Sequence, residues 1–102
     1  MLDISKIVGG REYENKKEKV KDNIEREVYS VREKVFLVIN KNTIEVRTDG
    51  RLGKLLVEKY ESVMRSRYFG KGGIEIVDSG QLKEAELEDL IRLSYNLTLE
   101  IE

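Results

Sequence analysis

The chain has 102 residues, no cysteine, no histidine, a net charge of −1 and a charged fraction of 38%. Without Cys or His there is no disulfide framework, no thiolate or imidazole metal site, no Ser-His or Cys-His nucleophile pair and no histidine general base. One core suffices at this length, so a single domain over 1–102 is expected, its 39% apolar residues arriving in blocks able to fill that core.

The charge is unevenly placed. Residues 1–40 hold nine basic and eight acidic side chains (+1), 41–71 hold eight and four (+4), and 72–102 hold two and eight (−6). A basic middle beside an acidic end gives a two-faced surface, or simply two solvated faces of different composition. The longest apolar run, Val35 to Ile39, is far short of the roughly 20 residues of a membrane helix. The opening MLDISKIVGG lacks the basic segment and apolar stretch of a secretory signal, so a cytoplasmic location without membrane contact is expected. A Lys/Glu-rich, Cys-free composition is also the direction in which thermophile proteins drift.

Leu2, Ile4, Ile7 and Val8 read as a short docked segment that ends at the joint Gly9-Gly10. From Glu12 to Arg26 the chain is almost wholly charged or amide-bearing. Val20 and Ile24 lie four apart there, which predicts a solvated helix with a thin apolar stripe. Val28 to Thr48 then carries three β-branched and aromatic blocks separated by Arg32-Glu33 and Asn40-Lys41-Asn42, the pattern of a three-stranded antiparallel meander. Strict alternation puts Val35, Leu37 and Ile39 on one face of its middle strand and Phe36 and Val38 on the other, both buried.

Asp49 is placed to cap a helix over 51–64, in which Leu52, Leu55, Leu56, Tyr60 and Val63 form one apolar face. A second hairpin is expected next, with a strand over Arg67 to Phe69, a turn over Gly70 to Gly73 and a strand from Ile74 to Val77. A last helix over 83–97 follows, with Leu87, Leu90, Ile91, Ser94 and Leu97 on one stripe and Glu84 and Glu86 where its dipole favours acids. The expected fold is therefore α+β. It is a two-layer, mostly antiparallel sheet of about five strands with helices on one face, in the order α-β-β-β-α-β-β-α, burying Phe36, Leu55, Leu56, Leu87, Leu90 and Ile91.

Several strings in that order resemble the MmcQ/YjbR family over about 28–98. These are VYSVREKVFLVI with its Lys34-Val35-Phe36, EKYESV at Glu58 to Val63, and the tail GQLKEAELEDLIRLSYNLT with Gly80, Leu82, Leu90, Ile91, Ser94 and Tyr95. The resemblance implies a double-wing α+β fold and a proposed role in DNA binding. Where the family hairpin has Asn-Lys followed by an aromatic pair, this chain has Gly70-Lys71-Gly72-Gly73-Ile74, which keeps the lysine and loses the amide and aromatics.

Gly70 to Gly73 lacks P-loop spacing and precedes a strand where a phosphate loop precedes a helix, so it reads as a turn requiring positive φ. Glu84, Glu86, Glu88 and Asp89 read as a solvated acidic face without calcium-loop geometry. Ser94 reads as a small packing residue, and Tyr95 as a partly buried ring with its hydroxyl at the surface. Neither a metal nor any other cofactor is expected.

The candidate site residues are Arg47, Arg51, Arg65, Arg67 and Lys71. Arg65 and Arg67, two apart on an extended strand, share a face beside Tyr68 and Phe69, and basic groups interleaved with aromatics suit a phosphate backbone or exposed bases. Two readings follow. One is a non-enzymatic domain that binds DNA weakly and without sequence preference through this hairpin and the adjacent helix start. The other is a protein-interaction module of secretion-chaperone-like fold, possibly a self-dimer, whose acidic last helix suits a basic partner.

Overall fold

A computed structural model describes residues 2–101. Its elements are α1 (Ile4–Ile7), β1 (Glu14–Lys21), β2 (Ile24–Val31), β3 (Lys34–Ile39), β4 (Thr43–Arg47), α2 (Gly50–Lys59), β5 (Val63–Ser66), β6 (Gly70–Val77) and α3 (Glu84–Leu99). The six strands make one antiparallel sheet in the order β1-β2-β3-β4-β6-β5. α3 lies across β3 and β4, α2 lies over β5 and β6, and α1 packs against α3. This is the expected two-layer α+β arrangement, with its core between the helices and one sheet face.

The largest departure is at the N-terminal side. The charged stretch expected as a helix is the hairpin β1–β2, turning at Asn23 with a positive φ of 65°. An exposed helix with only Val20 and Ile24 to bury has little tertiary support. An edge strand gains a ladder of backbone hydrogen bonds instead, and its lysines at positions 16, 17, 19 and 21 discourage further strand addition. The docked segment behaves as expected: Ile4, Ile7 and Val8 are buried, and Asp3 caps α1 by accepting from the Lys6 amide.

The meander forms with its two-residue turn, Arg32 and Glu33 both having positive φ as a primed hairpin turn requires. The alternation along β3 does not hold, because a bulge opposite Tyr29 and Ser30 interrupts the pairing. Phe36 and Leu37 consequently both join the core, Phe36 meeting the Tyr95 ring edge-on at 4.9 Å and Leu37 pairing with Val46. Ser94 does more than fill space. Fully buried on α3, its hydroxyl donates to the Phe36 carbonyl at 2.6 Å and accepts from the Arg47 amide at 2.8 Å, bridging β3 and β4. Tyr95 is also wholly buried, and its hydroxyl donates to the Glu12 carbonyl at 2.6 Å, which ties the entry into β1 to the last helix.

α2 ends at Lys59, five residues before the expected end, where Tyr60 turns extended and Val63 begins β5. The second hairpin is displaced with it. Residues 67–69 form the connection, and Gly70 opens β6. Gly73 is required for space, since a Cβ there would stand 2.4 Å from the Val46 carbonyl oxygen. Leu55, within α2, is 57% exposed and so is no core residue; Leu56 and Leu90 are half-buried and pack on the core from its margin. Ile91 is completely buried. Replacing Ile91 by Ala should therefore cost about 2–5 kcal/mol in urea denaturation. Leu90→Ala, at the margin, should cost about half as much or less; equal losses would contradict the margin assignment.

Candidate functional site

The five expected basic residues do not converge on one surface. Cross-strand partners share a face, so Arg65, opposite Ile74, points to the helix side of the sheet, whereas Met64, opposite Glu75, points to the open side. A register shift after Arg65 then turns the chain over. Arg67 lies on the open side, where its Nε and Nη2 donate to the two Glu75 carboxylate oxygens at 3.0 and 2.7 Å. The expectation that Arg65 and Arg67 share a face assumed an unbroken strand, and the bulge removes it.

Glu75 explains why the chain turns. Glu45 on β4 and Glu75 on β6 are directly opposed in register on the open face, and each is only 2% exposed. Two buried carboxylates facing each other repel and lose hydration, so the arrangement requires donors. Residues 66–69 and the β3–β4 turn supply them. Ser66 Oγ and the Tyr68 amide donate to Glu45 Oε1 at 2.8 and 2.9 Å, Asn40 Nδ2 donates to Oε2 at 2.9 Å, and Thr43 Oγ1 donates to Glu75 Oε2 at 2.7 Å. No buried side-chain nitrogen or oxygen lacks a partner among the described residues. Burial pulls the Glu75 carboxyl upward, but the Arg67 and Thr43 hydrogen bonds and the Arg67 charge outweigh it, and it titrates below the ordinary carboxylate value.

Arg47 is likewise engaged. Its Nε donates to the Val35 carbonyl at 2.7 Å, its guanidinium stacks 4.9 Å from the Phe69 ring centre, and burial draws its pKa below the ordinary guanidinium value. Phe69 is thus a structural platform. Arg67 and Arg47 both serve the fold, which leaves Arg51, Arg65 and Lys71.

Those three lie on the helix side together with a fourth cation that the sequence reading passed over. Lys54, Arg65 and Lys71 line a cleft of about 420 Å³ between α2 and the β5–β6 hairpin, with Val57, Ile74 and one acid, Glu58. Arg51 is exposed on the first turn of α2, beside the cleft residue Gly50. None of the four has an ion pair or side-chain hydrogen bond among the described residues. The spacing of Arg51 and Lys54, three apart on a helix, was the available signal for Lys54. Asp49 caps α2 as expected, accepting from the Leu52 amide at 2.8 Å, so the helix end already faces its own carboxylate and side chains alone make the cleft basic.

Two acids of α3 have local roles. Glu86 accepts from the Lys83 amide at 3.0 Å and so covers one donor at the start of α3, and Asp89 pairs with Arg92 at 2.8 Å. Among the described residues no group of three or more acids is placed to hold a metal ion, and no helix is long and apolar enough to cross a membrane. Comparison with family models, with curated proteins and with solved structures gave no match to this chain.

The depressed Glu75 has a consequence for stability. Its contribution is complete above the unfolded-state glutamate pKa of about 4.3 and is lost as pH falls through the lower folded-state value. Urea denaturation from about pH 6 to about pH 2.5 should show wild-type stability falling across that window. Glu75→Gln should be less stable at the upper end and should fall less steeply, whereas parallel curves would mean that Glu75 is not held as the carboxylate.

Proposed function

We propose that the protein is a non-enzymatic cytoplasmic binding domain that holds nucleic-acid phosphates in the cleft between α2 and the β5–β6 hairpin. The observation that carries this reading is the convergence of Lys54, Arg65 and Lys71, with Arg51 beside them, on one surface where no internal acid engages them. Cations that the fold leaves unspent are the ones able to displace counterions from a phosphate backbone. The resemblance to the MmcQ/YjbR family and its proposed DNA-binding role points in the same direction. So does the location, since the cleft joins the hairpin to the start of the middle helix.

The cleft offers side-chain ammonium and guanidinium groups around glycine backbone, with no Asn or Gln to pair with an adenine edge. Contacts of this kind position a duplex without reading it. Affinity is accordingly weak and indifferent to sequence.

With three or four phosphates neutralised, the logarithmic salt slope on duplex DNA should be about −2.7 to −3.6, a loss of about two powers of ten in affinity between about 50 and about 200 mM salt. Fluorescence anisotropy with a labelled duplex measures this directly. Lys54→Glu, Arg65→Glu and Lys71→Glu together should abolish binding with the melting temperature unchanged, while glutamates at Lys16, Lys17 and Lys19 on the edge strand should matter little. No binding by the wild type at about 50 mM salt would remove the nucleic-acid reading and leave the protein-interaction module in its place.

A further inference from the structure

The open face of the sheet carries a second concavity, separate from the phosphate cleft. The tip of the β1–β2 hairpin and the 66–69 connection wall a groove of about 620 Å³ whose floor includes Asn40, Thr43 and Glu45. Three apolar side chains line its walls where water reaches them, Val20 and Ile24 at 49% exposure and Tyr68 at 38%. Val20 and Ile24 are the pair expected to stripe a helix; in the hairpin they become the apolar lining of this groove.

Two guanidinium groups line the same groove, and each is clamped by a carboxylate. Arg67 spends Nε and Nη2 on Glu75, and its side chain is nevertheless 78% exposed. Arg26 spends Nε and Nη2 on Glu18 Oε1 at 3.0 and 2.9 Å, and lies 5.1 Å from the centre of the Tyr68 ring. In both, Nη1 has no partner among the described residues. Holding an arginine by one edge removes most of the entropy it would lose on meeting a ligand, which favours an acceptor at the other edge. Lys21 and Lys41 line the groove without any partner among the described residues, against one unengaged acid, Glu25. Glu45 on the floor keeps its charge, since its three donors are neutral, but it is only 2% exposed, whereas Lys21 and Lys41 stand exposed at the groove.

We infer that this open-face groove binds an amphipathic organic anion. The ligand's apolar or aromatic body lies against Val20, Ile24 and Tyr68, and its anionic group meets the Arg26 and Arg67 edges and the two lysines. A polyanion is a poorer fit than a single anionic head, because Glu18 and Glu75 already balance the two arginines. The inference does not rest on the nucleic-acid reading, since the two surfaces lie on opposite faces of the sheet and share no residue.

The probe is 1-anilinonaphthalene-8-sulfonate, compared with its uncharged relative N-phenyl-1-naphthylamine. The sulfonate should bind saturably with one site, and the neutral dye about tenfold or more weakly, the factor expected from losing one charge-assisted contact. Lys21→Gln with Lys41→Gln should weaken the sulfonate several-fold, and so should Val20→Thr with Ile24→Thr, which retains strand propensity. Lys54→Gln with Arg65→Gln and Lys71→Gln should leave it unchanged. Circular dichroism and melting curves confirm that each variant is folded. Equal binding of the two dyes, indifference to both groove variants, sensitivity to the helix-side variant, or no saturable binding at all would each overturn the inference.

Discussion

Two glutamates face each other across the middle of the sheet, and much of the molecule's surface follows from the need to satisfy them. Glu45 and Glu75 are neighbours in register, nearly inaccessible to water, and on the face that no helix covers. In a strand pair such carboxylates repel, and without donors the pair would open the sheet where β4 meets β6. The chain answers by folding residues 66–69 back over them. That one turn places Ser66, the Tyr68 amide and Arg67 as donors, exposes the Tyr68 ring, and brings Phe69 beneath the Arg47 guanidinium.

The same constraint divides the basic segment between two faces. Arg67 is drawn to the open side as the counter-ion of Glu75. Arg65, two residues earlier, remains opposite Ile74 on the helix side, where Lys54 and Lys71 join it. A cation committed to a buried carboxylate contributes first to folding and keeps at most one edge for a ligand, while one without a partner is wholly available. The distinction between engaged and unspent cations, more than the net charge of the segment, singles out the cleft proposed to hold phosphates. The edge strand β1 is equally lysine-rich, but its charges guard the sheet margin.

How far the sequence revealed this depends on which interactions are local. The meander was legible because β-branched blocks and two short polar breaks specify strands and turns within a few residues. The Asp49 cap and α3 were legible for the same reason. Glu12 to Arg26 was not, because four-residue spacing of two apolar residues fits a helix, and only the pairing with β2 decides for a strand. Phe36 and Leu37 appeared to alternate because a bulge depends on the partner strand and leaves no mark of its own. The candidate site failed in a similar way. Arg47, Arg51, Arg65, Arg67 and Lys71 are clustered in sequence, but their directions depend on Glu45 and Glu75 meeting across two strands thirty residues apart. Lys54 had a visible helical relation to Arg51 but was not connected to the hairpin. Ser94 read as a small packing residue, since nothing local shows a hydroxyl standing in for a sheet hydrogen bond.

The division of labour between Arg65 and Arg67 is most directly tested by replacing each singly with Gln and measuring two quantities, duplex affinity at about 50 mM salt and unfolding free energy in urea. Arg65→Gln should weaken binding and flatten the salt slope by about one unit of log affinity per log salt, with stability unchanged. Arg67→Gln should leave the slope as it is and cost about 1–3 kcal/mol of stability, toward the lower end because the guanidinium faces water while Glu75 does not. The reverse pattern, in which Arg67→Gln loses DNA at full stability and Arg65→Gln unfolds readily, would contradict the account.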